Sequence, residues 1–225
     1  EGLYIEEKPG KNPFSAFSFS NQEKGKQLRA WLKEIKKFKN DDSVAGLIID
    51  LNAVRAGFSK KQEMHDALKD FKDSGKKIIV YAKYGINNTD YYLVSMADEI
   101  YINNLTGIDL RGLAMEVTFY KEFLDTLSIV PEVFRVNIEG DSYKTAGDPF
   151  LESTATDQMK ENYGQLLKYL YSEIVSGISE ARSWTRDKTL NTIDNGPYSI
   201  KEDIITNDLI TETMYPDEFE KYIED

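Results

Sequence analysis

The residue best placed to do chemistry is Lys144, in the stretch Gly140–Phe150 that reads GDSYKTAGDPF. Its neighbours are small, aromatic and acidic. A lysine ammonium is ordinarily a solvated point charge, but burial or a second cation can hold the amine neutral. A neutral amine takes a proton from a hydroxyl, and in a serine–lysine dyad it does the work that histidine does elsewhere. The residues alone leave two readings open: a general base, or a loop cation paired with Asp141 or Asp148. Other chemistry has little support. The chain has no cysteine, which excludes disulfides, thiol catalysis and thiolate metal sites. Its one histidine, His65, lies in the helical pattern KKQEMHDALKDF. A surface or helix-face role is expected there, and a Ser-His-Asp triad is not. No metal site and no cofactor are expected. The phosphate-binding, dinucleotide-binding, paired-histidine zinc and nucleophile-elbow motifs are all absent.

The elements that must position Lys144 read as an alternation of strands and helices. A short strand is expected near Leu3–Ile5, followed by a loop. Leu28, Trp31, Leu32, Ile35 and Phe38 form a helical stripe. The run VAGLIIDL then reads as a buried parallel strand. Met64, Leu68 and Phe71 mark a second helix that ends near Gly75. KIIVYA and DEIYIN read as further strands on either side of a short helix at YYLVSMA. Tyr120, Phe123, Leu124 and Leu127 share a helical face, and EVFRV reads as a fourth strand. Met159, Tyr163, Leu166, Leu167, Leu170 and Ile174 line a long helix. Ser199 and Glu202 fit a capping box, and YPDEFEKYIE reads as a last helix. Alternation of this kind argues for a mainly parallel sheet layered with helices, an α/β fold. The expected division is an extension over 1–24, one domain over 25–215 and a terminal helix or linker over 216–225.

Composition bounds the partners. The chain has 225 residues, 40% hydrophobic and 30% charged, with a formal net charge of −11. That charge repels phosphate backbones, so no nucleic-acid partner is expected. No run approaches the ~20 apolar residues that cross a bilayer. The first residue is Glu1, so the chain is read as a processed or excised piece.

The order VAGLIIDL, FKDSGKKIIVYAKYGINNTDYYLVSMADEIYIN, GIDLRGLAMEVTFYKEFLDTLSI, VFRV, SYKTAGDPF resembles the signal peptide peptidase A (protease IV) family. The likeness is to the N-terminal half of the long, two-repeat form, from about residue 25 to about residue 215. It implies a ClpP/crotonase-like fold of repeated ββα units. In that family the general-base lysine sits in a Y-K-S-A-x-E-P-F segment. YKTAGDPF matches it, which places the role on Lys144, with Tyr143 and Thr145 as supporting residues. Thr145 stands for serine and Asp148 for glutamate. The family's nucleophilic serine belongs to an A-S-G-G-Y segment of the C-terminal half, and no such segment occurs in this chain. The position equivalent by internal repeat is Thr89, where Asp90 and Tyr91 replace the glycines and no evident base lies near in sequence. AVRAGFS resembles the family's glycine loop with only Gly57 kept, and a structural turn is expected there.

The resemblance implies one half of a membrane-associated Ser-Lys peptidase that degrades cleaved signal peptides. Its expected partners are a C-terminal catalytic half, other copies in a ring-like homo-oligomer, and peptide substrates. TDYYLVS and VTFYKEF are candidate groove linings or, equally, core. The expected location is the bacterial cell envelope, on the extracytoplasmic side of the inner membrane, with an anchor outside this chain. The fragment alone is expected to be inactive. The alternative is a non-catalytic scaffold of the same fold. A crotonase-type acyl-CoA enzyme is disfavoured by the negative charge and by the lack of a site for an adenosine diphosphate group.

Overall fold

The computed structural model describes residues 2–5, 26–134 and 143–224. Packing divides the chain into one unit of Glu1–Arg111 with Ile174–Asp225, and a second of Gly112–Glu173.

The first unit begins with strands β1 (Gly2–Ile5) and β2 (Lys26–Gln27) and helix α1 (Leu28–Lys39). Three successive units of strand, short strand and helix then start. They are β3 (Gly46–Asp50), β4 (Val54–Arg55) and α2 (Phe58–Lys72); β5 (Lys77–Ala82), β6 (Ile86–Asn87) and α3 (Asn88–Val94); and β7 (Glu99–Ile102) and β8 (Ile108–Asp109), followed in the second unit by α4 (Lys121–Thr126). This is the repeated ββα arrangement expected of the fold. The sequence shows no matching repeat, because the units share geometry and not residues. Later come α5 (Asp148–Leu151), α6 (Asp157–Ala181), α7 (Arg186–Asp194), α8 (Lys201–Thr206), β9 (Glu212–Thr213) and α9 (Pro216–Glu224).

The main sheet has the order β3-β5-β7-β9 and is parallel throughout. Leu47 pairs with Ile78 and Val80 with Ile100, so the apolar runs stand in register. In β5 and β7 this uninterrupted hydrophobicity follows from burial on both faces; β3, expected from the sequence to be a buried strand, is instead the edge of the sheet, with no buried residue and Ile48 54% exposed. Ile78, Val80, Ala82, Ile100 and Ile102 are fully buried. Tyr81 and Tyr101 pack against Phe219 of α9, with Ile79 and Met214 beside them. The Tyr81 and Phe219 rings stack at 4.5 Å. Short strands β6 and β8 form their own parallel pair, Ile86 to Ile108 and Asn87 to Asp109. Strand β6 carries the chain directly into the start of α3.

Two glycines have identifiable work. Gly75, φ +85, makes the left-handed turn after α2. Gly177 of α6 lets that helix approach α3, since a Cβ there would stand 2.3 Å from the Tyr92 ring. The expected capping box at Ser199 does not form. Helix α8 begins at Lys201 with Ile200 at its cap and no side-chain cap bond. Tyr198 is committed to a two-way backbone pairing with Ile108, so the chain turns into the helix one residue late for Ser199.

The second unit contains α4, α5 and the first part of α6. The predicted apolar face of Tyr120, Phe123, Leu124 and Leu127 is not buried: Phe123 is 62% exposed and α4 has no buried residue. The predicted strand EVFRV is also corrected, because Glu132–Phe134 is not strand; Arg135 and Val136 lie outside the described residues.

Candidate active site

Lys144 lies in the second unit, at the cap of a 3-10 turn formed by Thr145–Gly147. The turn runs directly into α5, whose Pro149 sits in the first turn, where a missing N–H costs nothing. Side chains on either side of the lysine fasten it. Tyr143 Oη donates to Glu161 Oε2 at 2.7 Å, and its carbonyl accepts from Asn162 Nδ2 at 3.2 Å. Asp148, 2% exposed, accepts through Oδ2 from the Thr156 hydroxyl at 2.8 Å. Thr145 is buried. Tyr120 N donates to Pro149 O, and its ring stacks on Phe150. Lys144 itself is an exposed residue. The segment is thus fastened on both sides of an exposed lysine. Asp148 is engaged with Thr156, and Asp141 lies outside the described residues, as does the loop ahead of Tyr143.

Thr89 lies in the first unit at the start of α3. Asn87 caps that helix, its Oδ1 accepting from the amides of Thr89 at 3.1 Å and Asp90 at 3.0 Å. The side chains around Thr89 correct the sequence reading. Lys61 of α2 places Nζ 2.6 Å from Thr89 Oγ1 and 2.7 Å from Asp90 Oδ1. The lysine and aspartate side chains are 4% and 3% exposed. A basic residue therefore does touch Thr89, though one held by a carboxylate. The sequence carries a signal for it: Lys61 stands on the same helical stripe as Met64, Leu68 and Phe71, all buried.

Gly57 caps α2 with φ −64 and ψ 157, an extended conformation open to any residue. Its carbonyl accepts from Lys60 and Lys61. It therefore orients the turn that delivers Lys61, which fits the structural turn expected there. TDYYLVS is core: Tyr91, Tyr92, Leu93 and Val94 are all buried. A cleft of about 290 Å³ opens beside β3, the outer strand of the main sheet, with Trp31, Ile35, Ile48, Met64 and Leu68 among its lining.

His65 occupies a helix face, but a buried one. It is 6% exposed, stacks on Tyr92 at 4.5 Å, and neither ring nitrogen has a hydrogen-bond partner among the described residues. Burial pushes its pKa below 6.5, with Asp66 opposing. The unfolded chain therefore binds this proton more readily than the folded one. Stability from this group is present above pH 6.5 and is lost as pH falls from there toward the folded value. The expected slope is at most about 1.4 kcal/mol per pH unit. Unfolding measured from pH 7.5 to 5.5 should show that loss in the wild type and a flatter profile in His65→Phe; equal profiles would contradict it.

Among the described residues, no group of three histidine, cysteine or acidic side chains could hold a metal. No described helix is long and apolar enough to cross a membrane.

The ββα units and the parallel sheet define the chain as an α/β protein. It belongs to peptidase family S49, whose model matches residues 70–224. It is 35% identical over 157 residues to Protease 4 of Haemophilus influenzae, covering 69% of this chain and 25% of that protein. It is 29% identical over 174 residues to Protease 4 of Salmonella typhi, covering 77% and 27%. The chloroplastic serine protease SPPA of Arabidopsis thaliana is 28% identical over 179 residues, covering 79% and 25%. The chain thus spans about a quarter of the length of these relatives. A solved peptidase from Plasmodium falciparum aligns with a TM-score of 0.45 at 10% identity, over 83% of this chain and 86% of that one, a likeness too slight to carry weight here. The family resemblance read from the sequence is borne out.

Proposed function

We propose that this chain is the lysine-bearing half of a serine peptidase active site, with Lys144 as general base and the nucleophilic serine supplied by chain beyond it. The observation that carries this reading is the match of YKTAGDPF, in a member of family S49, to a segment whose flanking side chains are fastened while its lysine is presented outward. The exposed amine becomes a base only when covered, and the covering half would bring the serine and the oxyanion donors. Lys144 would take the serine proton and return it to the leaving amine. Substrates would be extended apolar peptides such as released signal peptides. A peptide strand can pair along the outer edge of β3 and place alternate side chains in the neighbouring cleft. The partners proposed are the C-terminal half, further copies in a ring, and peptide substrate. The setting proposed is the bacterial cell envelope, with anchorage from a segment outside this chain.

The purified 225-residue chain should hydrolyse no peptide. Turnover by this chain that is lost in Thr89→Ala and kept in Lys144→Ala would overturn the assignment. The exposure of Lys144 also favours a second reading, a scaffold that helps the protein assemble. An acylating reagent separates the two in the complete protein. A covered, neutral Lys144 reacts at pH 7 well above the other lysines, and a scaffold lysine reacts at the common rate.

A further inference from the structure

The start of α3 brings an alcohol and an amine into contact. Lys61 Nζ lies 2.6 Å from Thr89 Oγ1. The lysine side chain is 4% exposed, whereas Thr89 is half-buried. The amine is therefore shut off from water, while the threonine beside it is partly open. The hydrogen bonds, however, run in the wrong direction for catalysis. Lys61 donates to Thr89 and to Asp90 Oδ1, and the Thr89 hydroxyl donates to Asn87 Oδ1 at 3.1 Å. A base must receive that proton. Lys61 is engaged by Asp90, and Asn87 Nδ2 in turn fixes that carboxylate by donating to Oδ2 at 2.7 Å.

We infer that Thr89 and Lys61 form a latent nucleophile–base pair held off by the Asp90 carboxylate. Without the carboxylate, the buried amine has no counter-ion, and burial favours its neutral form. Its lone pair then accepts the Thr89 proton in place of donating to the oxygen. The matching reactant class is an activated phosphoryl or acyl compound. With a fluorophosphonate, the Oγ1–P bond forms and the P–F bond breaks. Fluoride leaves with the bonding pair, and the Oγ1 proton passes to Nζ. Nothing in this depends on the role of Lys144.

The test is fluorophosphonate labelling of the complete protein, with the labelled residue located by peptide mass spectrometry. Label on a serine outside this chain reports the proposed peptidase site and is scored separately. Asp90→Asn should carry label on Thr89 at least tenfold above wild type, and Asp90→Asn with Lys61→Met should lose it. Folded Asp90→Asn without label on Thr89 would overturn the inference, as would equal labelling of Thr89 in the wild type. Should Asp90→Asn fail to fold, Thr89→Cys with Asp90 intact gives an independent reading. The ammonium of Lys61 should shift the midpoint of iodoacetamide alkylation below the ~8.5 of an ordinary thiol. A midpoint at or above that value would show that Lys61 does not act on position 89, and the inference would fall.

Discussion

In the complete protein, Lys144→Ala is expected to lower peptide hydrolysis by ~10²–10⁴, the range over which a positioned general base contributes. The fold should be unaffected. Lys144 is solvent-facing at the head of a 3-10 turn, and the turn is held by the side chains of Tyr143, Asp148 and Thr156 and by packing of Thr145. Truncating the lysine removes nothing from the core. The loss should fall on kcat, with KM little changed, because a base acts in the transition state and adds little to ground-state binding. Lys144→Arg should be nearly as damaging, since a guanidinium does not give up its proton. Steady-state kinetics on a fluorogenic apolar peptide measures both parameters. A rate within a few-fold of wild type would remove Lys144 from the mechanism.

The largest stability effect is expected at the other lysine. Lys61→Met should destabilise the protein by ~3–5 kcal/mol, the cost of leaving one member of a buried ion pair without its partner. The Lys61 and Asp90 side chains are 4% and 3% exposed and 2.7 Å apart. After the change, the Asp90 carboxylate keeps the Asn87 side-chain amide but has lost its cation. Replacing both members by apolar residues of similar volume, Lys61→Met with Asp90→Leu, should recover much of the loss, because the desolvation of both charges disappears together. Denaturant unfolding of the single and double variants checks this. A single-variant loss below ~1 kcal/mol, the scale of an exposed pair, would show that the contact is open to water.

Why one lysine was legible in the sequence and the other was not has a physical answer. Lys144 is embedded in a linear segment, YKTAGDPF, in which each neighbour has a local task. Thr145 packs inward, Asp148 holds a hydroxyl eight residues on, and Pro149 opens a helix. Such information survives in one dimension. The Lys61 contact joins residues 28 and 29 apart, through the crossover of one ββα unit onto the next. Only the packing of α2 against α3 creates it. The one-dimensional trace was a charged residue on an apolar stripe and, 29 residues on, an aspartate directly ahead of the apolar run YYLVS.

Similar reasoning applies to the fold. Strands β5 and β7 were readable because both faces of a parallel sheet are buried there and the run is continuously apolar; β3 was readable by the same apolar run, but its expected burial was wrong, since it is the edge strand and Ile48 is 54% exposed. The two-residue strands β4, β6 and β8 are too short for any periodicity, so the ββα repeat emerges only in space. The predicted strand at Glu132–Phe134 failed because β-branched and aromatic residues also suit an exposed irregular segment. Val130 and Phe134 are 85% and 92% exposed. The His65 reading erred in depth, since a helix-face histidine looks alike in sequence whether the face meets solvent or Tyr92.

The central claim is that Lys144 serves a hydroxyl outside this chain, and the rate of active-site labelling tests it most directly. Complete wild-type protein treated with a fluorophosphonate should acquire label on a serine beyond residue 225, and Lys144→Ala should slow that reaction at least 100-fold while the circular dichroism spectrum stays unchanged. Labelling of the same serine at the wild-type rate in Lys144→Ala would contradict the claim.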